Sequence, residues 1–287
     1  MTAGELTGPS DPAVGRATRL WSSSAQSREL LMELLRRDLK SRYKGSSLGA
    51  FWSLLNPLLY MLVYTVVFSH FMRFKVVGAP YPVYLLSGLL AWNFFAQAIT
   101  FSAGSVLGNG SIVKKVRFPW VLLTLSAVVA AFVNYLISLA LLVPLVIFFH
   151  VSLGLPLVVA PAIALTTFGF ALGLGLLVAS ANVFFRDVEY LINIVLQVWF
   201  FMTPIIYQLS SVLQAPGSDS FLGKLLRTAL YVNPMTWVVG GFQDVFAFDR
   251  WPQHPMGLLY SAAMALVALA VGSLVFHRLR PRFAEEL

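Results

Sequence analysis

The sequence predicts an all-α, polytopic membrane protein: six transmembrane helices, an amphipathic interfacial helix before the first, and short re-entrant or interfacial helices between the fifth and sixth. Three observations carry this. Hydrophobic residues make up 58% of the 287, and Asp, Glu, Lys and Arg only 11%, where a soluble domain carries about 25% charged residues. Those charges are segregated, with none from Phe118 to Phe185, a run of 68 residues. A bilayer core takes about 20 apolar helical residues to cross, so that run holds two spans and a turn near His150–Pro156.

The elements follow in order. Residues 1–27 are rich in Ser, Gly, Pro and Ala with no apolar core, which predicts a disordered cytosolic leader rather than a signal peptide. Over 28–46, Leu30, Leu31, Leu34, Leu35 and Leu39 recur at helical spacing, while Arg28, Glu29, Glu33, Arg36, Arg37 and Lys40 take the remaining faces. This is an interfacial helix. It reads equally as a docking surface with a basic edge for an anionic headgroup and as a simple anchor. Uncharged windows at 49–72, 82–107, 119–148, 156–185, 190–209 and 257–276 give six spans inside a transmembrane domain 47–280, with a cytosolic tail 281–287. The third and fourth exceed a bilayer, which predicts tilt or kinks at Pro144 or Pro161. Thr228–Gln243 is uncharged for only 16 residues and is broken by Asn233-Pro234. A window that short predicts a helix dipping into the outer leaflet, with an ordinary external loop as the alternative.

Charge bias fixes orientation. With six spans, 15 of the 20 Lys and Arg residues fall on the side where the chain starts. Positive-inside bias puts both termini in the cytosol, and a seventh span at Thr228–Gln243 would send Arg278, Arg280 and Arg282 outside. The formal charge of +8 is then a topology and lipid-headgroup signal, not a nucleic-acid one.

Signs of catalysis are absent. There are no cysteines, and His70, His150, His254 and His277 are scattered without ligand spacing. No carboxylate falls within a predicted span, so there is no intramembrane ion-coupling site, and no G-x-x-x-x-G-K-[ST] loop is present. A transporter of this kind takes its energy from another polypeptide. Residues 28–44 and the loop Gly108–Pro119, with Lys114, Lys115 and Arg117, offer cytosolic surfaces for that contact; a purely topological positive cluster would look the same. Arg186 and Asp187 read as structural charges in a tight turn. Aromatic residues are dense in the spans, and Asn93, Gln97, Thr100, Asn134, Asn193, Gln197 and Thr203 are polar at membrane depth, where such side chains face a cavity or another helix. A passage lined this way suits sugar rings; belt or packing roles explain single aromatics equally well.

Arg37-Asp38-Leu39-Lys40-Ser41-Arg42-Tyr43-Lys44, Leu48-Gly49-x-x-Trp52, Pro57-Leu58, Lys115-Val116-Arg117-Phe118-Pro119, Asn182-Val183-Phe184-Phe185-Arg186-Asp187-Val188, Gln197-x-Trp199-Phe200-Phe201-x-Thr203-Pro204-Ile205-x-Tyr207 and Asn233-Pro234-Met235 occur in this order. The ordered set resembles ABC-2-type permeases of polysaccharide exporters, of the O-antigen, teichoic-acid or galactan kind. Where that family often carries an acidic residue after Asn-Pro-Met, this chain has Val239-Gly240-Gly241, with Asp244 nearby.

The resemblance implies a homodimer in a bacterial cytoplasmic (inner) membrane, with two separate ATPase subunits beneath it. ATP and Mg would bind those subunits, leaving this chain without a cofactor or metal and without enzymatic activity of its own. The cargo would be a polyprenyl-diphosphate-linked glycan moving outward. Arg36, Arg37, Lys40, Arg42 and Lys44 are the candidates for the diphosphate, their donors suiting phosphate oxygens. Tyr60, Trp92, Phe95, Gln97, Trp199 and Phe201 are the candidates for the passage, and Glu33, Arg37, Asp38, Ile112, Lys114, Lys115 and Arg117 for ATPase contact. A drug- or lipid-exporting ABC-2 permease and, more remotely, a membrane-embedded lipid-glycan enzyme are the alternatives.

Overall fold

A computed structural model describes residues 28–40, 45–74, 76–110, 118–213 and 220–286; the expected leader 1–27 lies outside them. Every regular element among these residues is helical, as lipid demands, because a helix satisfies its backbone polar groups internally. The helices are α1 (28–40), α2 (Trp52–Phe71), α3 (Tyr81–Ala103), α4 (Val121–Phe148), α5 (Leu155–Phe184), α6 (Val188–Phe201), α7 (Leu209–Leu213), α8 (Phe221–Val232), α9 (Pro234–Phe246) and α10 (Pro255–Glu286).

Five of them are long and apolar enough to cross a membrane: α2, α3, α4, α5 and α10. The fifth expected span, 190–209, is corrected here. Its helix α6 has 14 residues, about 21 Å against a hydrocarbon core of about 30 Å. Non-helical chain completes the passage. Near one end of α3, the Thr100 hydroxyl lies 3.4 Å from Asn193 Oδ1 on α6. At the other end, the Tyr81 hydroxyl donates to the Ile206 carbonyl at 3.1 Å and Tyr84 to Tyr207 at 2.9 Å. Tyr81 and Thr100 stand about 29 Å apart along the helix axis, so the chain from Asn193 to Tyr207 runs antiparallel to the whole of α3. Irregular backbone at this depth is tolerated because protein surrounds it and bonds its carbonyls. Gln243 Nε2 serves Pro204 and Ile205, and Asn233 Nδ2 serves Met202.

Prolines shape two other spans. In α4 the helix breaks at Ala140–Leu141; the Pro144 ring clashes with the carbonyl four residues earlier, at Ala140, so the kink falls there. Pro161 produces none, because it occupies the first turn of Ala160–Phe184, where its missing N–H is not needed. Pro57 sits inside α2 and frees the carbonyl of Ser53. The Ser138 hydroxyl of α4 takes it at 2.9 Å, turning a lost helical bond into an interhelical one.

The core gathers around α3, whose residues from Val83 to Ala103 are mostly buried, packed by α4, α5 and α9. α5 and α10 cross at a glycine contact, with Gly173 against Ala268 and Gly272 against the Gly173 carbonyl. At its C-terminal end α10 runs on through Glu286, so the segment 281–287 expected as a cytosolic tail is helical to that residue. Phe276 and Phe283 are fully buried there with Trp120 and Phe184 beside them, and Arg280 donates to the Phe118 carbonyl at 3.3 Å. α1 lays Leu34 into a pocket formed with Phe118 and Leu123.

Candidate functional site

Between α6 and α10 the chain dives and returns. Asn233 joins α8 to α9 and lies 2.8 Å from the Trp199 indole nitrogen. Trp199 in turn packs against Trp92 and Phe95, midway along α3. From that depth α9 climbs back, and Phe248 beyond it meets the Tyr84 ring near the N-terminal end of α3. Thr228–Gln243 is therefore a re-entrant corner and not a crossing. It is a packed one, since Met235, Val238, Val239, Phe242 and Val245 are all essentially inaccessible. Asn233 holds the corner with four bonds. Its Oδ1 accepts from Trp199 and from the Met235 amide (3.0 Å), and its Nδ2 donates to Thr203 Oγ1 (2.9 Å) and the Met202 carbonyl (3.2 Å).

On the outer surface of the bundle, two clefts flank α2. One, of about 440 Å³, is lined by Asn56, Tyr60, Asn93, Gln97 and Asn134; the other, of about 300 Å³, by Tyr60, Trp92, Asn93, Thr100, Asn193 and Gln197. They share Tyr60 and Asn93 and so form one continuous tract along α2, α3 and α6. Asn56, Gln97, Asn193 and Gln197 are exposed on apolar helices. The Asn193 amide is bonded within the chain, to the Thr100 hydroxyl and to the Glu189 carbonyl at 2.9 Å. An amide left against lipid costs several kcal/mol, so Asn56, Gln97 and Gln197 require a partner surface or water. Behind it stands an aromatic array running Tyr60–Tyr64–Phe200–Trp92–Trp199–Phe95–Phe170, with neighbouring ring centroids 5.2 to 6.3 Å apart.

The family's model, that of the ABC-2 type transporter, matches residues 29–247. The chain belongs to this family. It is similar over most of its length to curated transport proteins. One is an O-antigen export system permease protein RfbA from Myxococcus xanthus, 34% identical over 94% of this chain and 99% of that protein. An RfbA from Klebsiella pneumoniae is 31% identical over 90% and 95%, and the polysialic acid transport protein KpsM of Escherichia coli is 22% identical over 86% and 92%.

In this ABC-2 family member the expected passage residues separate into two groups. Tyr60 and Phe201, more than half exposed, and exposed Gln97 border the tract directly. Trp92 touches it with one edge and is otherwise buried, while Trp199 is half-buried with its N–H committed to Asn233. Phe95 is a correction. It is wholly buried, stacked on Phe170 at 5.4 Å and edge-on to Trp199, so it supports the wall rather than lining it. On α1, Glu33, Arg36, Arg37 and Lys40 are exposed. Asp38, expected at an ATPase contact, instead turns inward: its carboxylate accepts from Ser126 at 3.2 Å and pairs with Arg37 at 3.1 Å. Arg42, Lys44, Ile112, Lys114, Lys115 and Arg117 lie outside the described residues.

Sequence reasoning missed two anchors. Asn233 reads as a helix breaker, and nothing in its spacing shows three tertiary bonds beside the local one from Met235. Asn182, fully buried, donates to the Ala103 carbonyl at 2.8 Å and accepts from the Glu189 amide at 3.2 Å. It thereby pins the turn in which Arg186 and Asp187 are merely exposed. The signal available was an asparagine in an apolar helix, which requires a partner there.

Proposed function

We propose that this chain is the membrane-spanning permease of an exporter that moves a polyprenyl-diphosphate-linked polysaccharide from the cytosol to the outside. Two copies form the conduit, and ATP, with Mg, is hydrolysed by a separate pair of ATPase subunits below them. The observation that carries this reading is the tract of exposed amides and aromatics on the apolar helices α2, α3 and α6. The export systems named for its relatives support it. Facing a second copy across the membrane, such a tract offers sugar hydroxyls exchangeable uncharged partners and offers their C–H faces the π surface of Tyr60 and Phe201. Uncharged lining binds weakly enough for a long chain to keep moving. The exposed cations of α1 lie at the cytosolic membrane surface, where guanidinium forks suit a diphosphate. Strokes of the ATPase subunits reach the bundle through the same helix, since Leu34 and Asp38 fasten it to α4.

Two substitution sets test this in vesicles holding the permease, its ATPase partner and lipid-linked glycan. Asn193→Leu with Gln197→Leu should lower glycan translocation by about an order of magnitude while insertion and partner assembly stay normal. Export at the parental rate would remove the tract from the pathway. Arg37→Gln with Arg42→Gln should abolish glycan-stimulated transport in correctly assembled complexes; normal export would strike out the headgroup assignment.

A further inference from the structure

Outside the tract, a further cavity faces the outer side, between α9, the chain at 204–210 and the loop 248–254. Its volume is about 290 Å³, near the lower end for small-molecule pockets. α9 turns one face to it. Thr236, Trp237, Gly240, Gly241, Gln243 and Asp244 line the cavity, while the opposite residues of the same helix are the core contacts described above. Three features set this space apart from a packing defect. Thr236 is 2% exposed and its hydroxyl has no hydrogen-bond partner among the described residues, a cost in a buried site unless something occupies it. At Gly240 an added Cβ would meet nothing within 4 Å, so the helix leaves room there that any other residue would fill. The walls also mix aromatic faces with fixed polar groups. Trp237, Tyr84 and Phe248 stand beside Gln243, Gln253 and an Asp244 carboxylate held by Arg250 Nε at 2.8 Å and by the Gln253 amide at 2.9 Å. Arg250 also lies 4.1 Å over the Phe248 ring. The one carboxylate and the one guanidinium neutralise each other, so the site suits an uncharged ligand.

We infer that this outer cavity binds a neutral saccharide unit, one or two rings of the glycan that the chain exports, with the Thr236 hydroxyl as a direct partner and aromatic faces as the platform. The inference rests on the export reading for the identity of its ligand and on the cavity alone for its existence. Each protomer then holds the emerging chain beside the re-entrant helix, on the far side of the tract.

The probe is lipid-free glycan released from the producing cells by mild acid, titrated against the detergent-solubilised permease–ATPase complex by saturation-transfer NMR. Wild type should bind. Gly240→Leu, which fills the cavity and raises helix propensity, should weaken binding by more than about tenfold. Thr236→Val, which deletes only the hydroxyl, should weaken it about fivefold. Gly169→Ala, at the α5–α10 crossing and away from both the tract and the cavity, should bind as wild type does. Equal binding by Gly240→Leu, or an equal loss in Gly169→Ala, overturns the inference. A wild-type complex that exports glycan in vesicles but does not bind the free glycan also overturns it and leaves the export reading standing. Binding without export in a complete reconstitution does the reverse.

Discussion

Asn233→Leu is expected to destabilise the protein by about 2–5 kcal/mol and to uncouple the two broken ends that meet at mid-depth. The lower bound treats the four bonds of Asn233 at about 0.6 kcal/mol each, the average for side-chain bonds in a membrane protein, where the unfolded reference also finds partners. The upper bound counts what leucine leaves behind. The Trp199 indole N–H and the Met235 amide lose their acceptor, and the Met202 carbonyl loses its donor. A buried unsatisfied group costs about 1–3 kcal/mol. The larger value should prevail because Asn233 is 7% exposed and Met235 is wholly buried, leaving little room for water to substitute. Thr203→Val is the internal comparison. It deletes the Nδ2 to Oγ1 bond and the hydroxyl's own bond to the Trp199 carbonyl, leaves the other three bonds of Asn233 in place, and should cost no more than about 1.5 kcal/mol. Thermal unfolding of both variants in detergent gives the ranking, and equal losses would show that the corner is held by packing rather than by this asparagine.

The second large effect lies at the crossing of α5 and α10. A Cβ at Gly173 would fall on the backbone of Ala268 and within 2.5 Å of the Leu269 nitrogen, and one at Gly272 would strike the Gly173 carbonyl. These are main-chain atoms, so no rotamer change relieves the overlap and the helices must separate. In lipid that separation matters more than in water, because helix association is driven by close packing and not by the hydrophobic effect. Gly173→Leu should therefore cost more than about 3 kcal/mol and yield little folded protein. Gly169 lies one turn away, and its nearest foreign atom is the flexible Leu269 Cδ1 at 3.3 Å. Gly169→Ala should change stability by under about 1 kcal/mol, since its gain in helix propensity offsets the tight contact. A Gly173→Leu variant melting with the wild type would refute the crossing.

The fold was legible wherever the bilayer itself dictated it. The span lengths of α2 to α5 follow from how much apolar helix lipid requires. The α4 break at Ala140–Leu141 follows from Pro144, because a proline's clash is local in sequence. The refusal of Thr228–Gln243 as a crossing came from charge counting and agrees with the corner at Asn233. The fifth crossing was only half legible. Hydropathy sees apolar residues through Gln208 but cannot see that the helix ends at Phe201, where the carbonyls from Met202 to Tyr207 trade helical bonds for Tyr81, Tyr84, Asn233 and Gln243.

The candidate tract divides in the same way. Gln97, Asn193 and Gln197 announced themselves as amides in apolar helices. Phe95 and Phe201 look alike in sequence, yet one is a wall stone behind Trp199 and the other faces outward, a difference set by which side of each helix its neighbours cover. Asp38 carried the appearance of a surface charge until Ser126 came within reach across 88 positions of chain.

The linear order of residues thus determined the solvent and the long apolar helices, because those depend on transfer free energies that add along the chain. Tertiary structure alone decided which broken backbone is repaired, which asparagines hold and which are presented, and where a cavity of mixed aromatic and polar lining forms beside α9. Each of those depends on pairs of groups far apart in sequence that meet only once the helices have packed.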